Sequence, residues 1–319
     1  MRILVTGATG FVGRTLCAVL AESGYQVRAA VRADSPLADH ISERVVVGDI
    51  GPGTSWDAAL RDVDGVVHLA ARAHVLNDAP DNTRLYFETN QHGTEALARA
   101  AARAGVRRFL FLSSVKVNGE DSMTGAYGAA DEPHPQDAYG KSKWLAEQAV
   151  RAVAGQTGMQ AVIVRPPLVY GPGVRANFLR LMRWVDARRP LPLAAIDNRR
   201  SLVSVWTLCD LLATLLEHPA APGTWMVSDG EDLSTPDLIR RIGRAMGRPV
   251  RLVAAPLGLL GVLGGILGKK AEVARLCGSL VVDSAPTRTK LGWSPPLSVD
   301  EAMHRTVAWY LSEGRPRDS

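Results

Sequence analysis

Over the first 170 residues, short apolar runs alternate with longer stretches whose apolar positions recur at helical spacing. Runs at 2–5, 27–31, 45–47, 65–69, 108–113 and 161–165 are too short and too uniformly apolar for amphipathic helices, and read as strands buried on both faces. Between them, residues 11–23, 55–61, 89–104 and 139–155 carry the helical period, the third being rich in alanine. Alternation of this kind predicts repeated βαβ units and hence an α/β fold with a doubly wound parallel sheet. After Pro166-Pro167 the rhythm breaks, with helices predicted over 177–187, 207–218, 235–246 and 298–312. The expected division is a first domain of residues 1–166 and a smaller mixed region of residues 167–319, which can return strands to the first.

Composition narrows the class. Of 319 residues 46% are hydrophobic and 22% charged, the balance of an ordinary globular protein rather than a disordered or membrane-spanning one. The stretch 256–268 (PLGLLGVLGGILG) is too short to cross a bilayer and reads as a buried or interface helix, so no stable membrane insertion is expected. Cys17, Cys209 and Cys277 are far apart and form no CxxC pair, which supports neither a disulfide framework nor a metal site. The net charge of +5 is carried almost entirely by arginine, interspersed with acids and without a basic tract among aromatics, so no nucleic-acid partner is expected. The chain opens at once on a strand and leaves no room for a signal peptide. A cytoplasmic location is expected.

The first strand runs into Gly7, Gly10 and Gly13, spaced GxxGxxG, and with Phe11 and Val12 the loop opens a helix. Glycines at such a turn let backbone N–H groups approach a pyrophosphate, which the positive helix terminus stabilises, so the first domain reads as a Rossmann-type NAD(P)-binding unit. The second strand ends in Arg32, a residue suited to a ribose 2′-phosphate, with Arg28 as a possible helper and Asp34 close by; NADP(H) is therefore favoured over NAD(H). After the third strand, Asp49 and Ile50 are placed to meet the adenine.

Tyr139 and Lys143 stand at i and i+4 on one helix face, where an ammonium can lower a phenol's pKa into a working range. An exposed Tyr–Lys pair is the plain alternative. Upstream, strand 108–113 delivers Ser114 to a carboxyl end, the place where open α/β sheets bind ligands.

With GATGFVG at 7–13, VVHLAA at 66–71, SSVKVNG at 113–119, YGKSK at 139–143, RPPLVYGPG at 165–173 and RRSLVSVWTLCD at 199–210, nearly the whole chain resembles extended short-chain dehydrogenase/reductases of the nucleotide-sugar epimerase/dehydratase type. The resemblance implies that Ser114, Tyr139 and Lys143 are catalytic, with Lys143 also on the nicotinamide ribose. It places Leu69, Ala70, Ala71 and Pro166 beside the cofactor and Asn90 near the active site. It makes the 167–319 region substrate-binding, with Arg200 on a UDP diphosphate and Arg199 as its immediate rival, Asn177 and Lys116 as further substrate contacts, and no metal. A homodimer is also implied. Two departures stand out. Val117-Asn118-Gly119 replaces the usual VYG, an expected change in a pocket wall, and Val115-Lys116 replaces the acidic pair that a 4,6-dehydratase needs. Within the family, the wording is similar to the subgroup that reduces a UDP-2-acetamido-2,6-dideoxy-4-keto-hexose for bacterial polysaccharide (O-antigen or capsule) precursors. The alternatives are a UDP-glucose or UDP-N-acetylglucosamine 4-epimerase with retained NAD and, in another class, a non-catalytic dinucleotide sensor or scaffold.

Overall fold

The computed structural model describes residues 1–34, 38–73, 80–122, 125–256, 258, 265 and 270–315, so the expected 256–268 helix lies almost wholly outside the described residues. Seven parallel strands form the main sheet: β1 (Arg2–Thr6), β2 (Gln26–Val31), β3 (Glu43–Val46), β4 (Gly65–His68), β5 (Arg108–Leu112), β6 (Gln160–Arg165) and β9 (Gly223–Met226). Their spatial order is β3-β2-β1-β4-β5-β6-β9, which reverses direction between β1 and β4. A ligand crevice belongs there, outside the carboxyl ends of the strands. A second, mixed sheet joins β7 (Leu168–Tyr170) in parallel and β10 (Asp232–Leu233) in antiparallel to β8 (Arg200–Ser204).

Helices cover both faces of the main sheet. On one, α1 (Phe11–Glu22) and the helix Val205–Glu217 bury Leu16, Leu20, Leu208 and Leu212 against Val5, Leu110 and Val164. On the other lie α2 (Asp57–Leu60), α3 (Pro80–Tyr86) with a π-helical turn Phe87–His92, α4 (Gly93–Arg103) and α5 (Ala138–Thr157). They pack Leu97, Ala101, Ala146 and Val150 on Phe109 and Ile163. The small alanines let α4 and α5 lie close to the sheet. The π-helical turn replaces the first residues of the helix expected over 89–104, and it points Asn90 inward.

The rest of the chain builds a core of its own. There α6 (Ala176–Asp186), α8 (Thr235–Ala245), α9 (Lys270–Cys277) and α11 (Val299–Trp309) pack together, while α7 (the Val205–Glu217 helix) and α10 (Ala285–Leu291), through Leu291, pack on the main core. Phe178, Met182, Ile239 and Met303 centre this cluster. Serines at 204, 234 and 298 cap their helices by accepting from backbone N–H groups of the first turn. One strand of this half, β9, leaves it to pair with β6, burying Trp225 in the main core.

Leu110 lies at the centre of the sheet with no solvent exposure. Leu110→Ala is expected to cost about 3 kcal/mol, read as a lower urea midpoint with an unchanged slope.

Candidate active site

The expected cofactor residues gather on one edge of the sheet. The Gly7–Gly13 loop leaves β1, Arg32 follows β2, Asp49 and Ile50 follow β3, Leu69–Ala71 follow β4, and Pro166 follows β6. Gly7 has φ +70°, and a Cβ on it would lie 2.8 Å from the Ala70 nitrogen; one on Gly13 would lie 2.0 Å from the Gly7 carbonyl oxygen. Only glycine permits this approach of loop, helix and β4 exit. Gly10 precedes α1 without a side-chain cap, so the first N–H groups of the helix face the crevice uncovered by the chain's own side chains. This cradle, which any Cβ would fill, fits a dinucleotide pyrophosphate. Phe11 packs its ring against Gly171 and Gly173 of the second half, and Ile50 rests on Gly93.

At the adenosine end the structure corrects one expectation. Residues of β2 alternate between the two sheet faces, and Arg28 falls on the α2 side. There it is buried, donating to the carbonyls of Ala59 (3.0 Å) and Arg61 (2.6 Å) and to Glu43 (2.5 Å), and it cannot serve a ribose phosphate. Arg32 is 81% exposed and pairs at 2.7 Å with Asp49, itself 83% exposed, while Arg44 pairs with Asp34. The two residues expected to read different parts of the adenosine therefore engage each other.

Ser114, Tyr139 and Lys143 meet where β5 ends against the start of α5. Ser114 caps a short 3₁₀ turn, Val115–Val117, accepting from the Lys116 backbone at 3.2 Å. Its hydroxyl lies close enough to the Tyr139 phenol to favour the ionised form. The half-buried setting of Tyr139 pushes its pKa above the usual phenol range, the Asp137 charge adds to that, and the neighbouring Ser114 hydroxyl acts the other way. One turn on, Lys143 is buried, with Nζ donating to the Leu112 carbonyl at 2.6 Å and lying 4.3 Å from the Phe111 ring centre. Burial brings its pKa down to about 7, against the pull of Glu147.

Two buried polar assemblies hold this arrangement. In the first, Thr94 donates to the Asn90 carbonyl at 2.6 Å, so its oxygen must accept from His68 Nε2 at 2.9 Å. His68 Nδ1 is then an acceptor for the Thr6 hydroxyl at 2.6 Å, and Thr6 in turn accepts from the Ala70 N–H. Burial, with Lys143 adding to it, takes the His68 pKa down to about 3, so the ring is neutral and every proton in the chain has one direction. The Asn90 amide accepts from the Arg72 N–H (2.8 Å) and donates to the Arg72 carbonyl (3.0 Å) and to Ser142 (3.0 Å), which donates to the Tyr139 carbonyl. In the second, fully buried Glu147 accepts from Ser113 (2.5 Å), twice from Arg165 (2.9 and 2.7 Å) and from Arg151 (2.9 Å). Arg165 also donates to Asn118.

That last bond overturns the expectation of an altered pocket wall. The 3₁₀ turn directs Asn118 inward, 2% exposed, where it bridges Arg165 and the Gly128 carbonyl. Lys116 also differs from its expected place: its ammonium donates to Glu120 at 2.8 Å and to Asp137. Arg200 stands at the start of β8 and donates to the carbonyls of Arg275 and Gly278, with Asp121 and Arg275 as its charged neighbours. Asn177 accepts from Arg180 at the start of α6. Thr6, Ser142, Glu147, Arg165 and Arg275 were missed in the sequence. Ser142 and Arg165 sit inside family-like segments that do not show their role, no motif marks the other three, and their partners lie up to 75 residues away.

A model of the NAD dependent epimerase/dehydratase family matches residues 3–227. The chain belongs to this family. It is 42% identical over 314 residues, covering 97% of this chain and 95% of its relative, to a Vibrio cholerae protein named UDP-glucose 4-epimerase. A 3-beta-hydroxysteroid dehydrogenase of Mycolicibacterium neoaurum is 30% identical over 333 residues, covering 97% and 91%. The crystal structure of UDP-glucuronic acid 4-epimerase from Bacillus cereus in complex with NAD has a TM-score of 0.80 at 22% identity, covering 99% of this chain and 100% of that one, and shows the fold. Epimerase/dehydratase membership, with a steroid enzyme among the relatives, leaves the substrate to be argued from the site.

Two outcomes follow from the geometry. Gly13→Ala is expected to weaken NAD⁺ binding by tenfold or more in calorimetric titration, since the added methyl meets the Gly7 carbonyl. Glu147→Gln leaves Arg165 an uncompensated buried cation, so about 3–5 kcal/mol of stability is expected to be lost in urea unfolding.

Proposed function

We propose that this chain is a dinucleotide-dependent oxidoreductase acting at C4 of a UDP-sugar, and that it interconverts C4 epimers. The observation that carries the reading is the half-buried Tyr139 phenol, with Ser114 beside it and Lys143 one helical turn on, at the strand edge that holds the glycine cradle. Gly7, Gly10 and Gly13 would hold the pyrophosphate of the cofactor, Leu69–Ala71 and Pro166 its flank, and Lys143 its nicotinamide ribose. When bound, that group supplies the hydride acceptor and donor. Tyr139 removes the O4 proton in one half-reaction and restores it in the other, while Ser114 holds O4 in line. Lys143 as a cation lowers the cost of the phenolate. Arg200, with Arg275 beside it, anchors the diphosphate, so that binding energy far from C4 positions C4.

Two things favour epimerisation with NAD: the 42% identical relative bears that name, and Arg32 already faces the Asp49 carboxylate, which opposes a 2′-phosphate. The absence of an acid pair at Val115-Lys116 argues against dehydration. A second reading is reduction of a UDP-2-acetamido-2,6-dideoxy-4-keto-hexose by NADPH, in polysaccharide precursor synthesis. It rests on Arg32, exposed enough to exchange Asp49 for a 2′-phosphate.

Purified protein, without added cofactor, is expected to convert UDP-galactose or UDP-N-acetylgalactosamine to its C4 epimer, followed by NMR of the anomeric proton. Turnover seen only with NADPH and the 4-keto sugar moves the assignment to reductase. Tyr139→Phe is expected to lose about 10²–10⁴-fold in kcat while NAD⁺ binding survives; near-normal turnover in that variant rules out Tyr139 as the proton-transfer group.

A further inference from the structure

The loop that carries Ser114 and the helix that carries Tyr139 are joined by a cation of the loop itself, Lys116. Lys116 lies two residues after Ser114, in the 3₁₀ turn that Ser114 caps. Asp137 lies two residues before Tyr139 and caps α5, one carboxylate oxygen accepting from the Gly140 N–H at 2.7 Å. The other oxygen accepts from the Lys116 ammonium, which also holds Glu120 at 2.8 Å. The backbones meet at the same place. A Cβ on Gly140 would sit 2.7 Å from the Lys116 carbonyl oxygen, so the glycine after Tyr139 is what lets the turn lie directly on the first turn of the helix.

We propose that Lys116 is a positioning residue of this active site: its ammonium, shared between Asp137 and Glu120, clamps the Ser114 turn to the start of α5 and balances the carboxylate charge beside Tyr139. The proposal rests on the reading of Tyr139 as the proton-transfer group and departs from the expectation of Lys116 as a substrate contact.

The geometry distinguishes the two roles. Two of the three ammonium donors are spent on carboxylates of the chain itself, and the Lys116 side chain is 28% exposed. Burial works to lower the Lys116 pKa, but the two carboxylates outweigh it and hold it above the usual lysine value. Burial likewise works to raise the Asp137 pKa, and the bonds from Lys116 and Gly140 bring it below the usual carboxylate range. Both groups are thus charged throughout the working range. Other groups face Tyr139 from each neighbouring element: Ser114 from the β5 exit, Tyr86 edge-on from α3 at 6.0 Å, and Lys143 from the next turn of α5. Asp137 is the one anion among these that acts against the phenolate, and Lys116 is the cation bonded to it.

The sign of each substitution follows. Lys116→Met leaves the Asp137 carboxylate beside the phenol without its cation and disfavours the ionised form, so the rising limb of the kcat–pH profile is expected to move up by about one unit, with kcat about tenfold lower and KM little changed. Lys116→Arg restores the limb. Asp137→Asn keeps a capping oxygen but removes the anion, and the limb is expected to move down. A merely structural brace would not shift the two variants in opposite directions. Limbs that coincide with the wild type, or a Lys116→Met loss confined to KM, overturn the proposal, the latter by making Lys116 a substrate ligand. If Lys116→Met does not fold, Asp137→Asn decides alone. The same shifts are read without turnover from the near-ultraviolet phenolate absorbance of NAD⁺-loaded protein, with Tyr139→Phe subtracted. Should that subtracted variant retain turnover, the proton role of Tyr139 fails while the clamp is still tested by the absorbance.

Discussion

A carboxylate with no access to water sets the position of the reacting groups. Glu147 is fully buried, and in an interior of low polarity an unpaired charge there would cost more than folding can supply. Its two oxygens therefore accept from Ser113, Arg151 and twice from Arg165, which engages β5, β6 and its own helix at once. Replacing such a pair with matched apolar residues need not destabilise a protein. An apolar contact between helix and sheet, however, tolerates a slide, and this set of bonds does not. Tyr139, Lys143 and Glu147 follow one another at four-residue steps along one face of α5, so fixing Glu147 against the carboxyl ends of β5 and β6 fixes the other two.

The Thr6–His68–Thr94–Asn90–Ser142 chain does the same from the other side. It begins on β1, one residue before the glycine loop, and ends at the backbone carbonyl of Tyr139. Because the imidazole is neutral and each hydroxyl has a single proton to give, the chain has one self-consistent set of donors, and a neutral network of this kind carries no charge to desolvate. The cradle for the pyrophosphate and the helix that bears the phenol are in this way parts of one rigid body. Precision of that order matters where a displacement of an ångström can cost a hundredfold in rate.

What could be read in the sequence divides along the range of the interactions. The parallel sheet, the glycine turn, the strand-end serine and the i, i+4 pair are local patterns, and they stand in the structure where the periodicity put them. Short strands of the second half were not legible: β9 has four residues and joins a sheet whose other members all precede residue 166. Polar residues were read for what they could offer a ligand, because a sequence shows a side chain's chemistry but not its partner. Arg28 was given a nucleotide when it had Glu43 and two carbonyls, and Asn118 was given a pocket when it had Arg165. The signal that could have helped is the cost of burial. A guanidinium within a strand buried on both faces must find acceptors inside the protein, as Arg28 and Arg165 do.

The two titrating groups of the site share a single question. A neutral phenol beside a neutral amine and a phenolate beside an ammonium contain the same protons, so passing from one to the other exchanges nothing with solvent. Burial favours the neutral pair, lifting Tyr139 and lowering Lys143 to about 7. The surrounding groups divide: Glu147 favours the ammonium, Asp137 opposes the phenolate, and the Ser114 hydroxyl supports it. With burial and charge opposed in this way, a modest change of charge at the crevice is enough to tip the pair. Such a balance suits a group that must take a proton and return it, since a phenol held firmly in either state would perform one half-reaction and stall in the other.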